Sequence, residues 1–158
     1  MKQSKLRVGL IGAGRWARMA HIHGWLRDPR CELAVLCDTK VDVARQAASE
    51  YGISEFSNNW QEIVSRKDLD IIDICTPSQT HYEISKASIE HGKHVLCEKP
   101  IAYDYIHTSA LAKMARRKGL KTKLGFTFRY TPAMRYAKEL ISSGFIGSPY
   151  IFNGYEQN

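Results

Sequence analysis

The sequence predicts a doubly wound α/β fold, in which a parallel sheet carries helices on both faces. Two observations lead to this prediction. Strand-like and helix-like segments alternate from the first residues onward. The strands are almost continuously apolar, as expected where helices cover both faces of a parallel sheet. Because such crossovers are right-handed, the alternation points to a Rossmann-like architecture.

The elements follow one another in strand–helix order. The predicted strands are short runs of apolar residues: Leu6–Ile11, Glu32–Cys37, a piece around Phe56, Ile71–Cys75, Val95–Cys97 and Lys121–Phe126. The predicted helices lie between them or follow the last one: Arg15–Arg27, Val41–Tyr51, one opening at Asn59, one from Thr80 to Gly92, Asp104–Gly119 and Pro132–Ser142. Asn59 and Thr80 each precede a Glu by three residues, so both helices should begin with a capping box.

Composition excludes several classes of protein. The 158 residues are 44% hydrophobic and 25% charged, which is typical of a globular domain and not of a collagen-like or disordered chain. No apolar run approaches the roughly 20 residues of a membrane helix. The net charge of +7 is scattered along the chain, so nucleic-acid binding is an alternative that rests on charge alone.

The N-terminus shows no secretory signal, and a cytoplasmic location is therefore expected. The cysteines support this expectation because none of them forms a C-x-x-C pair; they are Cys31, Cys37, Cys75 and Cys97. We expect buried thiols and no metal site.

A glycine motif joins the first strand to the first helix. Gly12-Ala13-Gly14-Arg15-Trp16-Ala17 has the form G-x-G-x-x-A. Gly12 would permit the tight turn, and Gly14 would let a pyrophosphate approach the backbone at the helix N-terminus. Ala17 is small enough for the helix to lie close to the sheet, and Ala20 and Gly24 would extend this small-residue stripe.

An acidic residue stands where a dinucleotide site needs one. Asp38 ends the second strand and could accept hydrogen bonds from the adenosine ribose. This predicts NAD as the cofactor, and Lys40 nearby leaves NADP possible. A purely structural glycine turn is the alternative.

Two further clusters follow later strands. Thr76-Pro77-Ser78 and His81 come after the third clear strand, and Glu98-Lys99-Pro100 comes after the next. The carboxyl ends of parallel strands form the ligand crevice of such sheets. Taken alone, these residues also fit an ordinary loop and surface charges.

The segment Gly92–Pro100, with Thr76-Pro77 and His81, resembles the Gfo/Idh/MocA family of oxidoreductases. The segment Leu124–Pro132 is similar to a second motif of that family, G-F-x-x-R-[FY]-x-P, although Thr127 stands where Asn is frequent. The resemblance implies an NAD(P)-binding domain that transfers a hydride between nicotinamide and a secondary alcohol, on a sugar or polyol.

The resemblance also implies roles for individual residues. Lys99 would be the catalytic lysine beside the nicotinamide. The other implied residues would bind cofactor or line the crevice: Gly12, Gly14, Arg15, Trp16, Asp38, Thr76, Pro77, Ser78, His81, Glu98 and Arg129. Capping and packing explain His81 equally well.

Members of this family carry a second domain with a D-x-x-x-H histidine, and this sequence has no such pattern. His21 and His23 do not replace it, because residues two apart on a helix do not share a face, and both are expected at the surface. A non-catalytic nucleotide-binding or regulatory module is therefore the alternative function.

The C-terminal residues Pro149–Tyr155 read as the opening of another strand. We divide the sequence into a dinucleotide-binding domain over residues 1–147 and the start of a second domain over 148–158. An unpaired strand tends to pair with another copy, so we expect either self-association into a homo-oligomer or a disordered tail. Membrane and nucleic acid are not expected partners.

Overall fold

The computed structural model describes residues 4–155. Its six strands are β1 (Leu6–Ile11), β2 (Cys31–Cys37), β3 (Glu55–Ser57), β4 (Ile71–Ile74), β5 (His94–Cys97) and β6 (Thr122–Leu124). All of them pair in parallel, in the order β3-β2-β1-β4-β5-β6. The strand order reverses between β1 and β4, which is the arrangement of a doubly wound sheet. The predicted fold class is confirmed.

Helices connect the strands. They are α1 (Ile22–Arg27), α2 (Val41–Tyr51), α3 (Trp60–Ser65), α4 (His81–Glu90), α5 (Tyr105–Arg117) and α6 (Pro132–Ser142). A π-helical turn over Ala17–His21 precedes α1, and the helical backbone runs continuously from residue 15 to residue 27. Each helix predicted from the sequence is present.

Two apolar cores lie on opposite faces of the sheet. One core joins the sheet to α2 and to the helical segment after β1, through residues such as Leu10, Ile22 and Ala47. The other joins it to α3, α4 and α5, through residues such as Ile63, Ile84 and Leu111. Burial of both faces explains why the strands are apolar at nearly every position.

The π-helical turn changes which side of the first helix faces the sheet. A π turn contains one residue more than an α turn, so the buried face moves along the sequence by one position. Ala17 and Ile22 are fully buried, whereas Ala20 is only partly buried and Gly24 is exposed. The predicted stripe through Ala20 and Gly24 is therefore wrong.

The two predicted capping boxes have different outcomes. The Asn59 side chain accepts hydrogen bonds from the backbone N–H groups of Gln61 and Glu62, at 3.0 and 3.4 Å, so it caps α3. The reciprocal half of the box is absent, because the Asn59 N–H donates to the Ser57 hydroxyl at 3.0 Å and not to Glu62. Thr80 makes no side-chain cap on α4. Its hydroxyl lies 2.8 Å from the Thr76 hydroxyl and 2.9 Å from the Pro77 carbonyl oxygen, and these contacts replace the cap.

Ion pairs gather at the amino ends of the strands. Arg7 on β1 contacts Glu32 at 2.7 Å and Asp68 at 3.1 Å. Arg66 contacts the same Asp68 at 2.7 Å and Glu55 at 2.5 Å, which connects the starts of β1, β2, β3 and β4. The Arg66 guanidinium beside Asp68 holds the pKa of that carboxyl well below its usual range.

The described chain consists of two units. The sheet and helices α1–α5 form a first unit that ends at Gly125, and the second unit begins at Phe126 and contains α6. The strand predicted over Pro149–Tyr155 is not formed within the described residues, where this segment is irregular and exposed. A strand requires a neighbour to complete its hydrogen bonds, and none of the described strands pairs with it. The domain boundary between residues 147 and 148 stays a prediction.

Candidate functional site

The glycine turn after β1 is held tightly against the end of β4. Gly12 has a φ of 98°, a conformation that favours glycine, and its N–H donates to the Cys37 carbonyl oxygen at 2.7 Å. A Cβ on Gly12 would lie 2.5 Å from the Cys75 carbonyl oxygen. Both the backbone conformation and the space therefore require glycine here.

Gly14 differs from Gly12 in its surroundings. A Cβ built on Gly14 would meet no protein atom within 4 Å. Nothing in the protein itself therefore explains the missing side chain. The space in front of Gly14 is open at the start of the helical backbone, where N–H groups lack intrahelical partners and attract anions.

Asp38 connects the end of β2 to the glycine turn. One carboxylate oxygen accepts a hydrogen bond from the Ala13 N–H at 3.0 Å, and the other accepts one from the Lys40 N–H at 3.0 Å. A carboxylate has about four acceptor positions, so two of them serve to fix its orientation. The remaining lone pairs can accept hydrogen bonds from a diol.

A cavity of about 600 Å³ lies over this turn. It is within the size range of small-molecule and cofactor sites. Seven of the predicted site residues line it: Gly12, Gly14, Arg15, Trp16, Asp38, Thr76 and Pro77. The structure thus brings the glycine motif, the acidic residue and the loop after β4 to one crevice.

The cavity also has lining residues that the sequence analysis did not assign to a site. Asn58 and Trp60 come from the segment after β3, and Thr39 and Val43 come from the start of α2. The sequence feature that could have predicted all four residues is their position, because each follows the carboxyl end of a strand. Lys40 also lines the cavity beside Asp38, as its place in the sequence suggested.

Ser78 and His81 lie outside the lining of this cavity. The Ser78 hydroxyl lies 3.1 Å from the Tyr103 hydroxyl. The His81 ring is buried, with one nitrogen 2.8 Å from the Thr76 carbonyl oxygen and the other 2.7 Å from that of Pro100. His81 therefore ties the loop after β4 to the turn after β5.

Glu98 and Lys99 stand at the carboxyl end of β5. Lys99 is exposed and is followed by a cis peptide bond to Pro100. Its backbone N–H donates to Oε2 of Glu98 at 3.3 Å. Glu98 is buried against Gly125, whose position has no room for a side chain beside the Glu98 carboxylate. Arg129 belongs to the second unit.

A buried cluster, His21–Asp73–Glu98, was missed by the sequence analysis. His21 lies between the two carboxylates, so its expected position at the surface is wrong. It follows the buried Ala17 by four residues and therefore lies on the same face of the helical segment. The available signal was Asp73, a charged residue in the middle of an otherwise apolar strand. Buried charges are rare without a partner. His23 is exposed as expected and packs its ring edgewise on Tyr51.

The thiols agree with the expectation from the sequence. Cys31, Cys37 and Cys97 are buried, Cys75 is partly buried, and none of the four forms a disulfide. Burial raises the pKa of Cys37 to about 12. Burial likewise raises the pKa of Cys97 to about 12. Such thiols are poor nucleophiles at neutral pH.

Every helix within residues 4–155 falls short of the length and apolar character that a membrane span requires.

Comparisons with known proteins agree with this geometry. The chain is similar to the levoglucosan dehydrogenase of Pseudarthrobacter phenanthrenivorans, with 32% identity over 94% of this chain and 40% of that protein. It is 27% identical to the scyllo-inositol 2-dehydrogenase (NAD(+)) of Bacillus subtilis, over 99% of this chain and 46% of that protein. The chain therefore spans less than half the length of these curated relatives.

Solved structures show the same similarity. Scyllo-inositol dehydrogenase from Lactobacillus casei, solved with bound NAD(H) and scyllo-inositol, superposes with a TM-score of 0.84 at 27% identity. The superposition covers 91% of this chain and 43% of that one. Residues 6–126 match the family described as "Oxidoreductase family, NAD-binding Rossmann fold". The chain belongs to this Gfo/Idh/MocA family of oxidoreductases.

Proposed function

We propose that the cavity over the glycine turn binds NAD, and that this chain is the cofactor-binding part of a sugar or polyol dehydrogenase. The observation that carries the proposal is the pairing of Gly12 and Asp38 at one crevice. Gly12 admits no side chain, and Asp38 is fixed by two backbone N–H groups. The residues fit a dinucleotide, since an open helix start faces the phosphates and an oriented carboxylate faces the ribose.

Each lining residue then has a role. The backbone from Gly14 to Trp16 would contact the pyrophosphate, and Asp38 would accept the ribose hydroxyls. Thr76 and Pro77 would flank the cofactor on the β4 side of the crevice. Lys40 and Arg15 line the same cavity, so the 2′-phosphate of NADP would have cations nearby. We nevertheless propose that NADP binds more weakly than NAD, because its 2′-phosphate would also face the Asp38 carboxylate.

The chemistry would take place beside the turn after β5. Bound NAD supplies a nicotinamide ring that accepts a hydride from a secondary alcohol. We propose that Lys99, which is exposed at the end of β5, orients the alcohol and assists removal of its proton. Glu98 and Ser78 are proposed to line the crevice, and His81 to position it by tying the Thr76 loop to the Pro100 turn. The role of Arg129 stays the prediction made from the resemblance.

The activity of the whole protein is a proposal that rests on its relatives. They include dehydrogenases named for levoglucosan, scyllo-inositol and D-apiose, which all carry secondary hydroxyl groups. A cyclic sugar or polyol is therefore the substrate class that we propose. Residues 148–158 would begin the domain that completes the substrate pocket.

Two further features belong to the same proposal. Residues near the C-terminus expose large apolar side chains, including Phe145, Ile151 and Phe152, which supports self-association of the chain. The four cysteines remain free thiols, which supports a reducing, cytoplasmic location.

A matched pair of glycine substitutions tests the cofactor site. Gly14→Val places a branched side chain in the open space where the pyrophosphate would lie, and NAD binding measured by calorimetry should be lost. Gly24→Val makes the same change on the exposed side of α1, where a Cβ also meets nothing, and should leave binding intact. Unchanged NAD affinity in Gly14→Val would contradict the proposed site.

A further inference from the structure

The His21–Asp73–Glu98 cluster fixes a histidine from both sides of its ring. Nδ1 of His21 lies 3.0 and 2.9 Å from the two carboxylate oxygens of Asp73, and Nε2 lies 3.2 Å from Oε1 of Glu98. Only 7% of the His21 side chain is exposed, against 0% for Asp73 and 10% for Glu98. Carboxylates accept hydrogen bonds, so both ring nitrogens serve as donors when both carboxylates are charged.

The cluster is anchored in the sheet at its Asp73 end. Asp73 lies on β4 between Leu10 of β1 and Leu96 of β5. The indole N–H of Trp25 donates to Oδ2 of Asp73 at 2.6 Å, which leaves that carboxylate little freedom. Asp73 therefore acts as the fixed point from which His21 extends.

The other end of the cluster reaches the turn that carries Lys99. Oε1 of Glu98 faces His21, and Oε2 accepts the backbone N–H of Lys99 at 3.3 Å. Gly125 also borders the Glu98 carboxylate, because a Cβ there would collide with it, most closely with Oε1. Gly125 does not have a positive φ, so this contact, rather than the backbone conformation, accounts for glycine at the position. Glu98 is thus confined between His21, Gly125 and the Lys99 peptide.

We infer that His21 is a positioning residue, a buried imidazolium that holds the Glu98 carboxylate and through it sets the conformation of the Glu98–Lys99 turn. The inference rests on the proposed function, in which this turn lies beside the nicotinamide. Without a cation at His21, the buried carboxylates of Asp73 and Glu98 would lose the positive charge that lies between them. Glu98 would then move toward water, and the Glu98–Lys99 turn would move with it.

The charge state of the ring agrees with the geometry. Burial lowers the pKa of His21, but the hydrogen bonds and charges of Asp73 and Cys75 outweigh it and raise the pKa to about 11. Glu98 adds a third acidic group on the Nε2 side of the ring. The groups that face His21 are therefore Asp73, Cys75 and Glu98. Trp25, on the same helical segment as His21, donates its indole N–H to Asp73.

The test compares two ligands on the same variants. NAD carries the nicotinamide ring and ADP-ribose lacks only that ring, so a disordered Glu98–Lys99 turn should weaken the binding of NAD and not that of ADP-ribose. His21→Gln keeps a polar side chain without the charge. We expect it to lower NAD affinity about tenfold, the effect of losing one charge-assisted hydrogen bond, and to leave ADP-ribose affinity within about twofold.

Two companion variants separate positioning from general damage. His23→Gln makes the same change at an exposed histidine two residues away, outside the cluster. It should leave the ratio of NAD to ADP-ribose affinity unchanged. The double variant His21→Gln/Glu98→Gln removes both charges, and a neutral amide pair should recover part of the NAD affinity.

The outcomes distinguish the inference from the proposed function. If the wild-type protein binds neither ligand, the proposed cofactor site fails. If the wild type binds both, and His21→Gln weakens both equally or neither, the positioning role is overturned while the cofactor site stands. Nitrogen NMR of His21 in the wild type provides a test that needs no variant. Two protonated ring nitrogens in mildly alkaline solution support the inference, and a neutral ring overturns it.

Discussion

The carboxylate of Asp38 accepts the backbone N–H of Ala13 at 3.0 Å, so the acidic residue of the proposed cofactor site also holds the glycine turn in place. In our proposal its side chain thereby couples the ribose end of the crevice to the phosphate end. Removing it should affect both the choice of cofactor and the shape of the turn.

We expect the wild-type protein to bind NAD more tightly than NADP, because a 2′-phosphate would face the Asp38 charge. In Asp38→Ala this difference should narrow, and NAD affinity should fall about tenfold through loss of a charged hydrogen-bond acceptor. Calorimetric titration with both cofactors measures this. Asp42→Ala, at an exposed position on α2, is the matched control. A wild-type preference for NADP would contradict the assignment of Asp38.

Gly12→Ala should destabilise the fold more than the same substitution at another left-handed glycine. Gly52 also has a positive φ, 70°, but a Cβ there meets nothing, so Gly52→Ala should cost about 1 kcal/mol from backbone strain alone. At Gly12 the methyl group also meets the Cys75 carbonyl, and we expect a loss of about 3 kcal/mol or more. Urea unfolding of the two variants gives the comparison, and equal losses would refute the close approach.

The stability of the protein should depend on pH through His21. In the unfolded chain the histidine loses its proton near its ordinary pKa of 6.5, whereas in the folded chain it keeps it until about 11. The stabilisation from His21 is thus complete below pH 6.5 and is lost as the pH rises towards 11. Within this interval its contribution should fall by up to about 1.4 kcal/mol per pH unit.

Other groups titrate in the same interval, so the quantity to measure is a difference between variants. The free energy of unfolding of the wild type minus that of His21→Gln should be constant below pH 6.5 and should shrink above it. His23→Gln changes an exposed histidine two residues away and should leave the pH profile of the wild type unchanged. A difference that grows with pH would mean that His21 is neutral in the folded protein.

The 158-residue chain should bind NAD without catalysing dehydrogenation. It spans only part of its relatives' length, and its sequence has no D-x-x-x-H motif, which the family resemblance leads us to expect as the acid–base partner of Lys99 in our proposal. Loss of general acid–base assistance alone costs roughly 10²–10⁴-fold in rate. NADH absorbance, followed with a panel of aldoses, inositols and anhydrosugars, measures the turnover. A robust rate with any of them would falsify the view that another domain completes the site.

The sequence was sufficient to predict the sheet and the cofactor crevice because both depend on local patterns. Apolar strands, the spacing of Gly12 and Gly14, and an acidic residue at the end of β2 are each visible within a few residues. The parallel order of strands then brings their carboxyl ends together without further information. Seven lining residues were predicted for this reason.

The positions that escaped prediction depend on contacts that the pattern of residue types does not reveal. His21 was expected at the surface because it and His23, two residues apart, do not share a helix face, but its partners are Asp73 on β4 and Glu98 after β5. The Thr80 hydroxyl was expected to cap α4, but Thr76 and Pro77 provide competing partners. Neither result follows from the local sequence, because in each case the deciding partner comes from another element or from the fold of a loop.

The ion pairs of Arg7 and Arg66 lie at the amino ends of the strands, and the crevice lies at their carboxyl ends. The residues that in our proposal determine cofactor choice and the ion pairs that contribute to stability therefore lie at opposite edges of the sheet. Loops after β2 and β4 can be redesigned for a different cofactor without touching the charged belt that joins the strand starts. Conversely, substitutions at the Arg7 and Arg66 ion pairs can be screened for thermal stability without altering the residues that line the crevice. Variants for stability and variants for cofactor choice can therefore be selected in separate libraries and then combined.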